Sequence, residues 1–221
     1  MDILQNDTRG IELTLEFVEK SDKDIETIKT LNKLGLETGD ILVVFGGYAT
    51  EALCGGDITR PHGDIDIHFI LTGKVSKDDL FTRIDSILGQ EKILWEIKKI
   101  NPNKVEYLED AEDKEFFNRR KVEIYINSPD EVNVEYSKRK LIKSQGVAIE
   151  ICVRDLQQLV KHKLQKFYEL RNGVDTTKDR HSSKSDFFDL KRLLELEELD
   201  LDKLKGNLPQ EYEYILTLMS V

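Results

Sequence analysis

The sequence has little of what marks disulfide-rich, zinc-binding and membrane proteins. It contains only two cysteines in 221 residues, Cys54 and Cys152, and they form neither a CxxC motif nor a group with neighbouring histidines. Neither a disulfide framework nor a zinc site is therefore expected. No apolar run approaches the roughly 20 residues needed to cross a bilayer, and polar and acidic residues follow Met1 in place of a signal peptide. These absences predict a cytoplasmic protein.

Basic residues are also in deficit. The 33 lysines and arginines are outnumbered by 43 aspartates and glutamates, which gives a formal net charge of −10. A broad basic surface of the kind that binds nucleic acid is therefore not expected, although local basic patches are compatible with this charge. The negative charge favours a cationic partner, but it serves solubility equally well.

Apolar periodicity over the first part of the chain predicts a sheet flanked by helices. The run Ile41–Phe45 lies between glycines and has the continuous apolar character of a strand buried on both faces. Further strands are predicted at 64–71, 95–100, 105–108, 122–126 and 147–153, and helices are predicted to begin at Ser21, Tyr48 and Ser76. The stretch 11–18 fits either a short strand or a helical turn.

From residue 154 onward the pattern becomes helical. Apolar residues at helical spacing predict one long helix over 156–170 and another over 187–194, and Pro209 predicts the start of a last one. Residues 172–185 are predicted to form a loop. The expected fold class is α+β, with a mixed β-sheet and flanking helices in residues 1–153 and a small α-helical C-terminal domain in residues 154–221.

Asp64 and Asp66 are the strongest indication of chemistry. They lie two residues apart on a predicted strand, so their carboxylates project from the same face and can bind one or two divalent cations. Like charges this close on a partly buried strand repel each other and lose hydration, and bound Mg²⁺ offsets both costs. The alternative is a strand whose acidic face simply points to solvent.

Two neighbouring segments favour the metal-binding interpretation. Gly46 and Gly47 directly follow an apolar strand, so backbone N–H groups and a helix N-terminus can approach a phosphate closely. The run 59–63, which contains Arg60 and His62, leads straight into the first aspartate. Arg60 suits either phosphate binding or the bracing of an aspartate, whereas His62 suits a structural role better than catalysis.

Together these residues resemble the signature of polymerase-beta-like nucleotidyltransferases, in particular the lincosamide and aminoglycoside nucleotidyltransferases. The matching positions are Gly46-Gly47-Tyr48-Ala49, Gly55, Thr59-Arg60, His62 and Asp64-Ile65-Asp66. The resemblance implies a nucleotidyltransferase-like fold, two Mg²⁺ ions, and ATP or another nucleoside triphosphate as co-substrate. It also implies that the nucleotide is bound by Gly46, Gly47, Thr59 and Arg60.

The resemblance further implies a third acidic residue on a later strand. Glu123, which follows a basic pair in an apolar run, is the preferred candidate. Glu135 and Glu150 are the alternatives. With Asp64 and Asp66, Glu123 completes the predicted catalytic and metal-binding set.

Features beyond this set are also interpreted through the resemblance. Residues 98–117 are an expected insertion, either a hairpin or a lid. Lys163 is implied to contact phosphates, although it also suits an ordinary solvated helix face. Asp186 and Asp189 form an Asp-x-x-Asp-Leu element and are expected to cap or brace a helix, and 178–179 is an alternative match for the family's Lys-Asp pair.

The expected activity is Mg²⁺-dependent transfer of a nucleoside monophosphate, AMP from ATP in the first instance, with release of pyrophosphate. The expected acceptor is a hydroxyl group of a small cationic molecule such as an aminoglycoside or lincosamide, which would make this an antibiotic-resistance enzyme. The alternatives are a toxin-like nucleotidyltransferase that modifies RNA or protein, and a non-catalytic nucleotide-binding regulator. The general base is open between Glu123, Glu135 and Glu106.

Overall fold

The computed structural model describes residues 15–90, 95–110, 119–172 and 180–219. Within these ranges the chain forms seven strands: β1 (Ile41–Phe45), β2 (Ile65–Ile70), β3 (Trp95–Asn101), β4 (Lys104–Glu109), β5 (Lys121–Asn127), β6 (Tyr136–Ile142) and β7 (Ala148–Arg154). The same ranges contain seven helices: α1 (Leu15–Thr38), α2 (Gly46–Leu53), α3 (Lys77–Gln90), α4 (Leu156–Arg171), α5 (Arg180–Leu194), α6 (Leu201–Asn207) and α7 (Pro209–Met219). No helix in the described ranges has both the length and the apolar character needed to cross a membrane.

The strands form one mixed sheet with the order β3-β4-β5-β2-β1-β7-β6. β2 pairs in parallel with β5, and β1 pairs in parallel with β7, whereas β1 and β2 are antiparallel. The hairpins β3–β4 and β6–β7 form the two edges. A mixed sheet with flanking helices confirms the predicted α+β class.

One face of the sheet carries the hydrophobic core, because apolar residues alternate along each strand. On β2, Ile65, Ile67 and Phe69 are fully buried, whereas Asp66 on the opposite face is only partly buried. Each such apolar side chain contributes about 1.5–3 kcal/mol on burial. Helix α1 packs closely on this face, since a Cβ atom added to Gly35 would lie 3.5 Å from the Phe69 ring. The opposite face is left for polar side chains.

The helices that follow β7 extend the same hydrophobic cluster. Asp155 caps α4, because its side chain accepts a hydrogen bond from the Gln158 backbone N–H. Phe167 of α4 stacks on Phe187 of α5 with ring centroids 5.7 Å apart, and Ile215 of α7 is fully buried in the cluster. Sheet and helices thus share one core, and the division between residues 153 and 154 stays a prediction.

Two helix boundaries differ from the sequence-based prediction. Helix α1 begins at Leu15 and not at Ser21, which is buried inside the helix, so the stretch 11–18 is helical from residue 15 while 11–14 lie outside the described residues. Helix α5 begins at Arg180, so the predicted loop 172–185 is wrong from residue 180 onward. The polar run 21–24 looks like a helix start in the sequence although it lies inside α1, and residues 180–185 are polar or charged and show no apolar helical period.

Strand β6 and helix α6 were not predicted from the sequence. β6 lies at the edge of the sheet with β7 as its neighbouring strand, so it tolerates a run of serine, lysine and arginine that gives no strand pattern. The expected insertion at 98–117 forms the hairpin β3–β4, whose second strand pairs with β5. Residues 111–117 and the alternative Lys-Asp pair at 178–179 lie outside the described residues.

Candidate active site

Three predicted carboxylates meet on the polar face of the sheet. Asp64 directly precedes β2, Asp66 lies on β2, and Glu123 lies opposite Asp66 on the neighbouring parallel strand β5. One oxygen from each lies within 4.8 Å of the others. The two-residue period of β2 and the register of β2 with β5 together bring the three side chains to one point.

This arrangement concentrates negative charge away from water. Burial raises the pKa of Asp66 well above its ordinary value, and the charges of Asp64 and Glu123 raise it further. Burial and the Glu123 charge also raise the pKa of Asp64. Three carboxylate oxygens are the hard ligands that Mg²⁺ prefers, and a divalent cation would relieve their mutual repulsion. The donor set therefore fits the predicted magnesium site.

Glu123 is held differently from the two aspartates. Burial acts to raise its pKa, but hydrogen bonds from Lys104 and Lys121 outweigh burial and hold the pKa below its ordinary value. The Lys104 ammonium lies 2.7 Å from Glu123 Oε2 and 2.7 Å from Glu106 Oε1. Glu123 is therefore ionised, and a cation bound there competes with two ammonium groups. Lys121 belongs to the basic pair noted in the sequence, whereas Lys104 was not identified, because β4 becomes a neighbour of β5 only in the folded sheet.

The alternative acids lie elsewhere. Glu150 is exposed on β7 and forms an ion pair with Lys138 at 3.3 Å. Glu135 is exposed in the segment before β6, where its carbonyl accepts a hydrogen bond from the Asp155 backbone N–H at 2.8 Å. Within the described residues, neither belongs to the group of acids that could share a metal ion.

The glycine pair begins helix α2 directly beside the carboxylates. Gly46 has a φ of +68°, and a Cβ atom there would lie 1.9 Å from Asp66 Oδ2. A Cβ atom on Gly47 would lie 2.1 Å from His62 Nδ1. Only glycine allows these approaches, and the first N–H groups of the helix are the ones without intrahelical partners. The structure thus puts a helix N-terminus, which attracts anions, against Asp66.

Replacing Gly46 with alanine is expected to damage both stability and the carboxylate site. The left-handed backbone and the contact with Asp66 should together cost about 1–3 kcal/mol of the free energy of unfolding. Displacement of Asp66 should also weaken Mg²⁺ binding, measured by isothermal titration calorimetry. Gly63→Ala is the matched control, because a Cβ atom at Gly63 meets nothing within 4 Å. Equal behaviour of the two variants would contradict the close-approach argument.

The two cations predicted to bind phosphate are engaged with buried acids. Arg60 donates from Nε and Nη2 to the two carboxylate oxygens of Asp189, at 2.7 and 2.6 Å. Lys163 is buried, and its Nζ lies 2.7 Å from Asp189 Oδ2 and 3.3 Å from Asp186 Oδ1. The structure therefore links Arg60, just ahead of the metal-binding strand, to helices α4 and α5. Phosphate binding by Arg60 and Lys163 stays a prediction.

Glu51 is a site feature that the sequence analysis missed. This glutamate of α2 is fully buried, and it accepts hydrogen bonds from the Thr59 hydroxyl at 3.1 Å, from His62 Nε2 at 3.0 Å and from Arg192 Nη1 at 2.7 Å. Burial lowers the pKa of His62 to about 4, so its imidazole is neutral at pH 7. A glutamate in an otherwise apolar stretch of α2 was the available signal, since buried charges occur where partners are supplied.

Aromatic side chains continue the polar face beyond the carboxylates. His68 and Tyr125 lie two residues after Asp66 and Glu123, and their rings stack with centroids 4.9 Å apart. Phe45 meets the His68 ring edge-on at 4.6 Å. Burial lowers the pKa of His68 to about 4, which keeps this imidazole neutral. The face therefore combines acidic groups with a neighbouring apolar surface, as ligand sites commonly do.

A known structure shares this fold. The chain aligns with the crystal structure of an antigenic nucleotidyltransferase-like protein from Paracoccidioides brasiliensis with a TM-score of 0.55 and 16% identity, over 90% of this chain and 88% of that one. A solution structure of the antibiotic-resistance factor ANT(2'')-Ia and its crystal structure with adenylyl-2''-tobramycin align with TM-scores of 0.49 and 0.48, both at 16% identity. These two cover 91% and 90% of this chain and 98% of each neighbour. No protein-family model and no curated protein matches the sequence. The first alignment shows a nucleotidyltransferase-like fold.

Proposed function

We propose that this chain, which has a nucleotidyltransferase-like fold, is an enzyme that transfers a nucleoside monophosphate from a nucleoside triphosphate to a hydroxyl group. The observation that carries the proposal is the meeting of Asp64, Asp66 and Glu123 within 4.8 Å beside the glycine start of α2. Carboxylates that bind cations and helix N–H groups that bind phosphate are the two parts that phosphoryl chemistry needs. Fold alone does not assign an activity, so the site carries the argument.

The three acids would hold two Mg²⁺ ions. Bound there, the ions would neutralise phosphate charge and favour loss of the proton from the attacking hydroxyl. In the proposed reaction the hydroxyl oxygen forms a bond to the α-phosphorus, the bond from that phosphorus to the bridging oxygen breaks, and pyrophosphate leaves with the electron pair. Glu123 is ionised and can accept the hydroxyl proton, and Glu106, which lies opposite it on β4, is the nearby alternative.

The remaining site residues are proposed to bind the nucleotide. Gly46 and Gly47 would present backbone N–H groups to the phosphates. Arg60 and Lys163 would have to share their charge between phosphate and Asp189, to which both are bound. Thr59, which precedes Arg60 in the loop ahead of β2, would contact the nucleotide from that loop. Gly46, Gly47, Thr59 and Arg60 lie in segments that approach Asp64 and Asp66, and Lys163 lies on helix α4.

We further propose that ATP is the nucleotide donor and that the acceptor is a small cationic molecule, such as an aminoglycoside or lincosamide. They are supported by the sequence signature and by the formal charge of −10, which favours a cationic molecule. Modification of RNA or protein is the rival, since it would use the same chemistry on a larger acceptor. The presence of all three acids argues against a non-catalytic regulator. Cytoplasmic location and a role in antibiotic resistance belong to the same proposal.

The experiment that tests this proposal varies the nucleotide donor and the acceptor independently. The protein is incubated with Mg²⁺, each of the four ribonucleoside triphosphates in turn, and a panel of aminoglycosides and lincosamides. Pyrophosphate release and acceptor mass are measured. We expect a mass gain of one nucleoside monophosphate, with ATP as the best donor.

Each possible outcome of this assay tests a different part of the proposal. Nucleotide binding without a modified small molecule would reject the small-acceptor part and direct the assay to RNA and protein acceptors. Absence of any Mg²⁺-dependent nucleotide binding would reject nucleotidyl transfer itself. A matched chelator control with EDTA should abolish the reaction, because the three acids bind no phosphate without a cation.

A further inference from the structure

The carboxylate of Glu51 joins three parts of the candidate site. Glu51 is fully buried on α2, one turn after Gly47. Its hydrogen-bond donors come from the loop before Asp64, through Thr59 and His62, and from α5, through Arg192. An ion buried this fully is stable only when several donors hold it in place. These contacts therefore fix the three parts relative to one another.

His62 transmits this constraint to the glycine pair. One imidazole nitrogen, Nε2, lies 3.0 Å from Glu51 Oε1. The other, Nδ1, lies so close to Gly47 that a Cβ atom on that residue would be 2.1 Å away. The ring also packs on Tyr48 with centroids 4.5 Å apart. The imidazole thus fills the space between Glu51 and the first turn of α2, and its orientation is set by the Glu51 carboxylate.

From these contacts we infer that Glu51 is a positioning residue that holds the backbone of Gly46 and Gly47 in place for the triphosphate, acting through His62. The inference rests on the proposed function. Glu51 differs from an ordinary buried acid in the groups that it orients, because His62 lies against Gly47, and both Thr59 and His62 lie in the loop that leads to Asp64 and Asp66. Displacements of about 1 Å in such a site can change catalysis by about 100-fold.

The direct test is Glu51→Gln, which keeps the shape of the side chain but removes its charge. One oxygen becomes an NH₂ group that faces the donors of Thr59, His62 or Arg192. We expect the dissociation constant for the Mg–nucleotide to rise by about 10- to 100-fold. Binding of Mn²⁺ alone should change less than about twofold, because the three acids at the metal site are untouched. Glu169→Gln, an exposed change on α4, is the matched control.

A second variant keeps the inference testable if Glu51→Gln does not fold. His62→Phe retains a planar ring against Gly47 and Tyr48 but cannot bond to Glu51, which keeps its other donors. The same selective loss of nucleotide affinity is expected. Unchanged nucleotide affinity in Glu51→Gln would overturn the inference, and if that variant does not fold, unchanged nucleotide affinity in His62→Phe would overturn it.

Hydrogen exchange provides a measurement that does not depend on the proposed function. The amides of residues 50 and 51, which in an α-helix donate to the carbonyls of Gly46 and Gly47, should exchange faster in Glu51→Gln than in the wild type, while those of α3 should be unchanged. If the wild type binds no nucleotide but this local effect appears, the proposed function fails and the positioning role stands. If exchange at residues 50 and 51 is unchanged, Glu51 does not position the glycine pair.

Discussion

Asp66→Asn is expected to stabilise the protein in the absence of metal ions and to abolish its activity. The Asp66 carboxylate is partly buried beside Asp64 and Glu123, and its raised pKa means that the folded state disfavours its charge. Asparagine has nearly the same shape but no charge, so we expect a gain of about 1 kcal/mol or more in the free energy of unfolding in EDTA. In a chain of this size that corresponds to about 2–4 °C in Tm.

With Mg²⁺ present, the wild type should instead be more stable than Asp66→Asn. Mg²⁺ that binds only the folded wild type raises its stability, by about 2.7 kcal/mol at 100 times the dissociation constant. Asp66→Asn should show no such rise, and its nucleotidyl transfer should fall by at least about 100-fold. The measurement is a pair of thermal melts, with EDTA and with Mg²⁺, beside the transfer assay. Asp130→Asn, an exposed aspartate in a turn, is the control. Retained activity in Asp66→Asn would remove this residue from the catalytic set.

The local parts of this site could be predicted from the sequence because they depend on neighbours along the chain. Asp64 and Asp66 are two residues apart, and the strand period alone puts them on one face. Gly46 and Gly47 follow directly after an apolar strand, and a turn into a helix at that point needs no tertiary information. The fold class followed in the same way from the order of strand and helix patterns.

The parts that depend on strand pairing could not be predicted from periodicity. Glu123 was chosen from a family resemblance, since no local pattern shows that β5 lies beside β2. Lys104 lies in the hairpin at the edge of the sheet, and only the pairing of β4 with β5 brings it to Glu123. Arg192 reaches Glu51 from α5 across a large sequence separation. Long-range ion pairs leave no periodic signal in a sequence that is rich in charge.

Strand β6 and the start of helix α1 could not be predicted from hydrophobic periodicity for a related reason. β6 has one neighbour in the sheet, and its exposed side chains are free to be charged. The start of α1 carries polar residues that are buried, such as Asp24, which binds Arg120 at 2.9 Å and Tyr48 at 2.8 Å. A buried polar network mimics an exposed helix end in the sequence. Periodicity in hydrophobicity therefore fails where polar groups are satisfied inside the fold.

Asp189→Ala is expected to cause the largest loss of stability. The side chain is fully buried and binds both Arg60 and Lys163. Burial acts to raise its pKa, but the charges of Lys163 and Arg60 outweigh burial and hold the pKa well below its ordinary value. Alanine would leave two buried cations short of a partner, which should cost about 3–5 kcal/mol. Urea denaturation measures the loss, and Lys191→Ala, an exposed change on the same helix, is the control.

Replacing the three ions that meet at Asp189 distinguishes bracing from nucleotide binding. A triple variant with Arg60→Met, Lys163→Met and Asp189→Leu removes these three charges together. Asp186 loses Lys163 but keeps its ion pair with Lys166 at 2.8 Å. Apolar replacement of a buried ion group is often neutral or stabilising, and we expect the triple variant to recover most of the stability lost in Asp189→Ala. If Arg60 and Lys163 also bind phosphate, nucleotide affinity should stay at least about tenfold below that of the wild type. Recovery of both stability and nucleotide affinity would show that the two cations only brace the fold.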